Sequence, residues 1–130
     1  MQLNQLDEIY LDQCRTAMRT EQEKSLAETN QWSHVDKPKV HADWDVLYKQ
    51  LASVLDTSHP SDATIQELID QHYQISSRFY VPSKLAYLGL ALFYRENEAM
   101  RDFHNAYHPQ MVAFLGDAIY VYTQQSRTFS

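Results

Sequence analysis

The scarcity of glycine and proline is the feature that most constrains the fold. The 130-residue chain contains only two glycines and four prolines, and 44% of its residues are hydrophobic. β-Sandwiches and β-barrels need many tight turns, which are rich in glycine. A parallel α/β fold is also unfavourable, because no Val/Ile-rich run is followed by a glycine turn. The composition therefore predicts one all-α domain with a single hydrophobic core.

Apolar residues recur at helical spacing in five to six segments separated by short breaks. The predicted helices cover residues 3–30, 43–56, 61–80, 82–94, 98–105 and 109–124. The fourth segment is apolar nearly all round, which is typical of a central, buried helix. Residues 31–42 are predicted to form a loop, because Pro38 cannot continue a helix and disfavours helical geometry at Lys37.

Charge and cysteine content exclude several classes of protein. The net charge is −6 and neither half of the chain carries a basic stripe, which argues against binding to nucleic acid or to anionic lipid. No apolar run approaches the roughly 18 residues of a membrane span, and the N-terminus does not resemble a signal peptide. Cys14 is the only cysteine, so no disulfide forms within the chain. We therefore expect a cytoplasmic protein without a membrane partner.

The histidines suggest metal binding, but their spacing does not support it. His34 with His41, and His104 with His108, are the candidate pairs, and neither has a clear Asp, Glu or Cys partner at ligand spacing. We expect no metal site and no cofactor. His72 differs because it lies on the apolar face of the third predicted helix. It is either a hydrogen-bonded core histidine or a polar group in a ligand pocket.

Enzyme chemistry has no support in the motifs of the chain. Ser76, Ser77 and Ser83 lack the glycine-flanked turn of a serine nucleophile. Cys14 has only Arg15 and Arg19 nearby to activate its thiol. No glycine-rich phosphate loop is present. We therefore predict that the protein is not an enzyme.

The aromatic content is the most informative feature of the composition for function. Nine tyrosines, five phenylalanines and two tryptophans make up 12% of the sequence, and many of them fall in its second half. A tyrosine can bury its ring and still offer a hydroxyl to a partner. Beyond those needed for the core, such side chains favour a pocket for a bulky, flat, mostly apolar ligand.

Four short motifs occur in a fixed order from the middle of the chain onward. They are Asp43-Trp44 at a helix start, Pro60-Ser61 opening a helix that holds His72 and ends in Phe79-Tyr80, Phe93-Tyr94-x-x-Asn97, and Pro109 followed by Met111 and Leu115-Gly116-Asp117-Ala118-Ile119. With these motifs, the stretch from Trp44 to Tyr122 resembles the TipAS antibiotic-recognition domain. That domain is the drug-binding module at the C-terminus of some MerR-type transcription regulators.

The resemblance implies a globin-like all-helical fold with a cleft for thiopeptide antibiotics or other bulky, heteroaromatic, peptide-like compounds. It also implies an N-terminal segment that closes over the drug. This agrees with the polar second half of the first predicted helix, which leaves residues 19–42 weakly committed to the core. We expect one domain, in which residues 1–42 form an N-terminal helix and mobile lid, and residues 43–125 form the ligand-binding core.

Two departures from the family pattern change the expected mechanism. Thiopeptide-binding members carry a cysteine that adds covalently to the drug, and the matching stretch here is Val81-Pro82-Ser83-Lys84. Reversible binding is therefore expected. No helix-turn-helix or dimerising coiled coil precedes the domain, so we expect a stand-alone form that sequesters or senses its ligand as a monomer or weak homodimer.

Eight residues are predicted to contact the ligand. They are Trp32, His72, Tyr73, Ser76, Phe79, Tyr80, Tyr87 and Tyr107. Their rings would stack on the ligand, while His72 and the tyrosine hydroxyls would orient it. The alternative is a protein-interaction module, in which the same cleft or the amphipathic first helix docks a partner such as a separately encoded transcription regulator.

Overall fold

Six α-helices and two short 3-10 turns account for the regular structure of residues 2–125 and Phe129, the part of the chain described in a computed structural model. The helices are α1 (Glu8–Glu28), α2 (Lys37–Val54), α3 (Ala63–Ser76), α4 (Lys84–Glu96), α5 (Glu98–Asn105) and α6 (Met111–Gln125). The 3-10 turns are Leu3–Gln5 and Leu55–Thr57. Within these residues there is no strand, and no helix is long and apolar enough to cross a membrane. The prediction of an all-α bundle is confirmed.

Side-chain caps determine where several helices begin. The carboxylate of Asp7 accepts a hydrogen bond from the backbone N–H of Ile9 at 2.7 Å at the start of α1. The Ser83 hydroxyl and the Asn97 side chain cap α4 and α5 in the same way. Each cap satisfies an N–H group that the first turn of a helix leaves without a partner.

The predicted loop over residues 31–42 is wrong in its second half, because α2 already begins at Lys37. Asp36 caps this helix by accepting from the backbone N–H of Lys39 at 3.2 Å. Pro38 lies in the first turn, where its missing N–H is not needed. The proline therefore starts the helix instead of preventing it, and only a short turn separates α1 from α2.

Helix α4 is the centre of the bundle. It packs along α1 and also contacts α5 and α6, while α2 packs on α3 and α3 contacts α6. Gly89 permits the closest approach, since a Cβ atom at this position would lie 2.2 Å from the carbonyl oxygen of Cys14 and 2.6 Å from the Cβ of Met18. The α1–α4 pair and the α2–α3 pair therefore form two facing walls.

Candidate functional site

A cavity of about 380 Å³ lies between these two walls. Its volume is within the range of small-molecule sites. On the first wall it is lined by Met18, Gln22, Pro82, Ala86, Leu90, Phe93 and Tyr94, and on the second by His41, Trp44, Tyr48, Ser76, Phe79 and Tyr80. Trp32 and three α5 residues, Met100, Phe103 and His104, complete the lining. No Lys, Arg, Asp or Glu is among the described residues that line it.

A row of three aromatic rings forms one side of the cavity. The rings of Trp44 and Phe79 are stacked, with centroids 5.9 Å apart and planes 14° apart. Trp32 meets Phe79 edge-on, with ring centroids 4.8 Å apart. Each ring comes from a different segment, so the row joins α2, the turn after α3 and the connection between α1 and α2. Such a surface suits a flat aromatic ligand.

Trp32 is held in place by polar contacts of its own segment. Its Nε1 donates to Ser25 Oγ at 2.9 Å, and its backbone N–H donates to Thr29 Oγ1 at 3.0 Å. Asn30, Gln31 and Trp32 have φ angles of 50°, 60° and 62°. Left-handed backbone costs about 1–2 kcal/mol for a residue with a side chain, so this turn persists because its contacts offset that cost.

The same segment is hydrogen-bonded to the turn that follows α3. Nε2 of His34 lies 3.0 Å and 3.1 Å from the carbonyl oxygens of Arg78 and Phe79, to which it can donate. Arg78 also forms an ion pair with Asp43 of α2 at 2.7 Å. The connection between α1 and α2 therefore contributes Trp32 to the cavity lining and is attached to the turn after α3 by a few hydrogen bonds.

Two buried polar atoms of the cavity lining lack a partner. Within the described residues, neither Trp44 Nε1 nor Ser76 Oγ has a hydrogen-bond partner, although each atom is buried. Ser76 is only 7% exposed. A buried polar group without a partner is unusual and costs free energy.

A chain of hydrogen bonds runs through the core behind the cavity wall. His104 Nδ1 lies 2.6 Å from the carbonyl oxygen of Met100, which can only accept, so this nitrogen carries the hydrogen. His104 Nε2 is therefore an acceptor, and the Tyr48 hydroxyl donates to it at 2.9 Å. His72 Nε2 then donates to the Tyr48 oxygen at 3.1 Å, and the Tyr87 hydroxyl donates to His72 Nδ1 at 2.8 Å. Both imidazoles are thus held in defined neutral tautomers.

Burial keeps the two imidazoles uncharged. It lowers the pKa of the fully buried His72 from 6.5 to about 3, and the nearby His104 contributes a smaller repulsion. Burial also lowers the pKa of His104, although the hydrogen bond to the Met100 carbonyl opposes the shift. The wall behind the cavity is consequently polar but neutral near pH 7.

The eight predicted ligand contacts are distributed unevenly. Trp32, Ser76, Phe79 and Tyr80 line the cavity, whereas His72, Tyr73, Tyr87 and Tyr107 do not. His72 and Tyr87 lie in the hydrogen-bonded chain behind the wall, with no exposed surface. Tyr73 is buried and donates to the Pro82 carbonyl at 2.6 Å. Tyr107 donates to Asp45 at 2.6 Å. These four side chains support the surroundings of the cavity.

Several lining residues were missed by the predicted set. Among them are three pairs at i, i+4 spacing, namely Trp44 with Tyr48, Leu90 with Tyr94, and Met100 with His104. Residues at this spacing share one face of a helix. An aromatic residue or histidine one turn after a large apolar residue was therefore the available signal on α2, α4 and α5.

Cys14, the only cysteine of the chain, does not reach the cavity. It is fully buried where α1 crosses Gly89, and burial raises the pKa of its thiol to about 11. The turn before α4 places Pro82 at the cavity and Ser83 at the helix cap. Across the described residues, no group of three or more His, Cys, Asp or Glu side chains could hold a metal ion.

The family model of the TipAS antibiotic-recognition domain matches residues 10–122. The match begins in α1, well before the Trp44 at which the sequence motifs begin. It therefore includes the connection that carries Trp32 and every lining residue of the cavity. No curated protein and no solved structure matches the chain significantly.

Proposed function

Because the chain belongs to the TipAS antibiotic-recognition family, we propose that it binds a bulky, largely apolar, heteroaromatic or peptide-like antibiotic or metabolite. The binding site is the cavity between the α1–α4 and α2–α3 walls. One observation carries this proposal: the cavity has three aromatic rings in contact and no Lys, Arg, Asp or Glu among the described residues that line it.

The lining favours an uncharged ligand. Burying a charge without a partner is far more costly than burying a neutral ring, and no side chain with a permanent charge is available here. Burial of apolar ligand surface contributes about 25 cal/mol per Å². A cavity of about 380 Å³ suits the rigid aromatic part of a larger compound. The remainder would extend past Phe93 and Phe103, which line the cavity and are 36% and 48% exposed.

Binding is reversible in this proposal. No thiol lines the cavity, and the only cysteine is buried between α1 and α4. The ligand would then dissociate without leaving a covalent adduct on the protein. Its role is to sequester or sense the compound, as a cytoplasmic monomer or weak homodimer without nucleic acid or membrane partners; the acidic composition and the single cysteine support this.

The connection between α1 and α2 acts as a lid in this proposal. It places Trp32 at the cavity and is attached to the turn after α3 through His34 and to Ser25 through the indole. A bulky ligand enters when these few hydrogen bonds break. The left-handed turn at residues 30–32 relaxes at the same time, which lowers the cost of opening.

Two other functions are less well supported. The amphipathic α1 would be the docking element of a protein-interaction module, but its apolar side packs against α4 through Leu11 and Cys14. Catalysis would need an activated nucleophile, and both ring nitrogens of His72 already bond to tyrosines. A binding role without enzyme activity is therefore preferred.

Thermal melts with a panel of thiopeptides and other heteroaromatic antibiotics test the proposed function. A ligand at 100 times its Kd stabilises the protein by about 2.7 kcal/mol, which is a clear shift of the melting temperature. Leu90→Trp fills the cavity and should abolish the shift. Leu68→Trp is the matched control, since Leu68 is partly buried and does not line the cavity.

Intact-mass spectrometry of the same samples should show no adduct. A covalent adduct would contradict reversible binding. Equal ligand shifts in Leu90→Trp and Leu68→Trp would place the ligand outside the cavity, and no shift with any compound would contradict the function itself.

A further inference from the structure

We propose that the cavity selects ligands that carry two neighbouring hydrogen-bond acceptors on one edge, one for Trp44 Nε1 and one for the Ser76 hydroxyl. The inference rests on the proposed function and adds the chemistry that the ligand must present. Its basis is the pair of buried polar atoms that have no partner among the described residues and that both belong to cavity-lining side chains.

Both atoms lie on the same wall. The ring of Trp44 is stacked on Phe79 at 5.9 Å and lies 6.0 Å from the ring of His72. Ser76 is one helical turn after His72 and three residues before Phe79, the two residues whose rings Trp44 contacts. A ligand edge that reaches one polar atom is therefore close to the other.

The chemistry of the two groups defines what they require. An indole N–H can only donate, so Trp44 needs an acceptor. The hydrogen of the Ser76 hydroxyl likewise has no acceptor among the described residues. By contrast, Ser77 Oγ, on the adjacent residue, donates to the Tyr73 carbonyl at 2.8 Å, so this helix end can satisfy a serine.

Three other polar groups of the lining already bond to protein partners, and the polar side-chain atoms of Gln22, His41 and Tyr80 are not both buried and unpartnered. Trp32 Nε1 donates to Ser25, the Tyr48 hydroxyl donates to His104, and His104 Nδ1 donates to the Met100 carbonyl. Trp44 and Ser76 therefore differ from these neighbours in having donors left for a ligand.

The facing wall has no buried polar atom without a partner among the described residues, although Gln22 and Tyr94 on it carry polar groups. Met18, Ala86, Leu90 and Phe93 on the same wall are apolar. A bound ring system would consequently carry its hydrogen-bond acceptors on the edge toward α2 and α3. Its edge toward α1 and α4 would be mostly apolar. A site with buried donors discriminates strongly against ligands that cannot satisfy them.

Three planar probes of nearly the same shape test this inference. Phenanthrene has no ring nitrogen, phenanthridine has one, and benzo[c]cinnoline has two adjacent nitrogens on one edge. Isothermal titration at pH 7.5, where all three are uncharged, gives their Kd values. The quantity of interest is the ratio of phenanthrene Kd to benzo[c]cinnoline Kd, compared between wild type and each variant.

We expect the ratio to fall about tenfold in Trp44→Phe and about tenfold in Ser76→Ala, because each variant removes one donor. Ser77→Ala is the matched control and should leave the ratio unchanged. Ratios that are equal in wild type and both variants would overturn the inference while leaving the proposed function intact. If none of the three probes binds, the apolar cavity fails as a site for planar aromatics and the inference fails with it.

A second measurement does not depend on a ligand. Because the Ser76 hydroxyl is buried without a partner, Ser76→Ala should raise the urea midpoint of the free protein. Ser77→Ala should lower it or leave it unchanged, because that hydroxyl is already bonded. A lower midpoint for Ser76→Ala would show that the hydroxyl is satisfied in the free protein, which contradicts the inference. A purely structural role of the Ser76 hydroxyl would not produce both a higher urea midpoint and a smaller ratio of phenanthrene Kd to benzo[c]cinnoline Kd in Ser76→Ala.

Discussion

Replacing Gly89 with alanine should separate the two most closely packed helices of the bundle. The added Cβ would lie 2.2 Å from the Cys14 carbonyl oxygen, 2.9 Å from the Cys14 carbonyl carbon and 2.6 Å from the Met18 Cβ. Two of these atoms belong to the backbone of α1, so no side-chain rotation relieves the contact. Helix α1 would have to move away from α4 by about 1 Å to restore ordinary van der Waals distances.

The magnitude follows from two opposing effects. Alanine in the middle of a helix is about 1 kcal/mol more favourable than glycine. Overpacking of a dense core costs about 1–3 kcal/mol, and a clash with backbone belongs at the upper end. We therefore expect Gly89→Ala to lower the free energy of unfolding by about 2 kcal/mol, which corresponds to a fall in Tm of roughly 8 °C for a domain of this size.

Urea denaturation followed by circular dichroism measures this change. Gly116→Ala is the matched control, because a Cβ there would meet only the end of the Leu3 side chain at 3.3 Å. That variant should be as stable as wild type or up to about 1 kcal/mol more stable. If Gly89→Ala were as stable as Gly116→Ala, the close approach of α1 and α4 would be refuted.

Three further predictions concern the polar core and the lid. Tyr48→Phe removes the hydroxyl between His72 and His104 and leaves two buried imidazole nitrogens without their partner. In urea denaturation it should lower the free energy of unfolding by about 2–4 kcal/mol. Tyr107→Phe loses a part-buried hydrogen bond to Asp45 and should lower it by about 1 kcal/mol. Folding lowers the pKa of His72 from 6.5 to about 3, so below pH 6.5 the unfolded chain binds a proton that the folded protein does not. The free energy of unfolding should therefore be unaffected by His72 above pH 6.5. It should fall by about 1.4 kcal/mol for each pH unit between 6.5 and 3. Urea midpoints measured from pH 7.5 to pH 4.5 check this, and a flat profile would contradict a buried neutral imidazole. Trp32→Ala should raise the dissociation rate of a bound ligand about tenfold in stopped-flow measurements, because it removes the ring that covers the cavity; an unchanged rate would exclude a lid role.

Periodicity and capping residues predict the order of the helices and several of their starts. Asn97 caps α5 at its predicted start, and Ser83 starts α4 within the predicted range. The errors occur where two local signals compete. Pro38 by itself indicates a break, but Asp36 before it supplies the cap that makes a proline acceptable in the first turn. The apolar periodicity extends the third helix to Tyr80, whereas α3 ends at Ser76 and the chain then turns.

The site is harder to predict than the fold. A helical pattern indicates which residues share a face, but not whether each of them reaches the cavity or lies behind its wall. His72 lies on the predicted apolar face, yet it is one layer behind the cavity, covered by Trp44 and Tyr48. The sequence spacing pairs His104 only with His108, as possible metal ligands. In the structure His104 is the buried acceptor of the Tyr48 hydroxyl, while His108 bonds to Asp56.

Helix packing explains which aromatic residues surround the cavity. Tyr87 and Tyr94 both belong to α4 and are both buried, but only Tyr94 lines the cavity. The two residues share one face of α4 but lie about 10 Å apart along its axis. Tyr87 therefore meets Tyr73 and Tyr122, whereas Tyr94 meets His104. No pattern along one helix contains that information, since it depends on where α3 and α5 cross α4.

The indole N–H resonances of the two tryptophans provide the most direct test of the central claim, that an uncharged aromatic ligand occupies the cavity between the two walls. A ¹H–¹⁵N spectrum of the protein contains two such resonances, which Trp44→Phe assigns. On addition of the best-binding compound from the melts, the Trp44 resonance should move downfield as its N–H gains an acceptor. The Trp32 resonance should shift less, because its N–H already donates to Ser25. A ligand that stabilises the protein while leaving the Trp44 resonance unchanged would contradict the account.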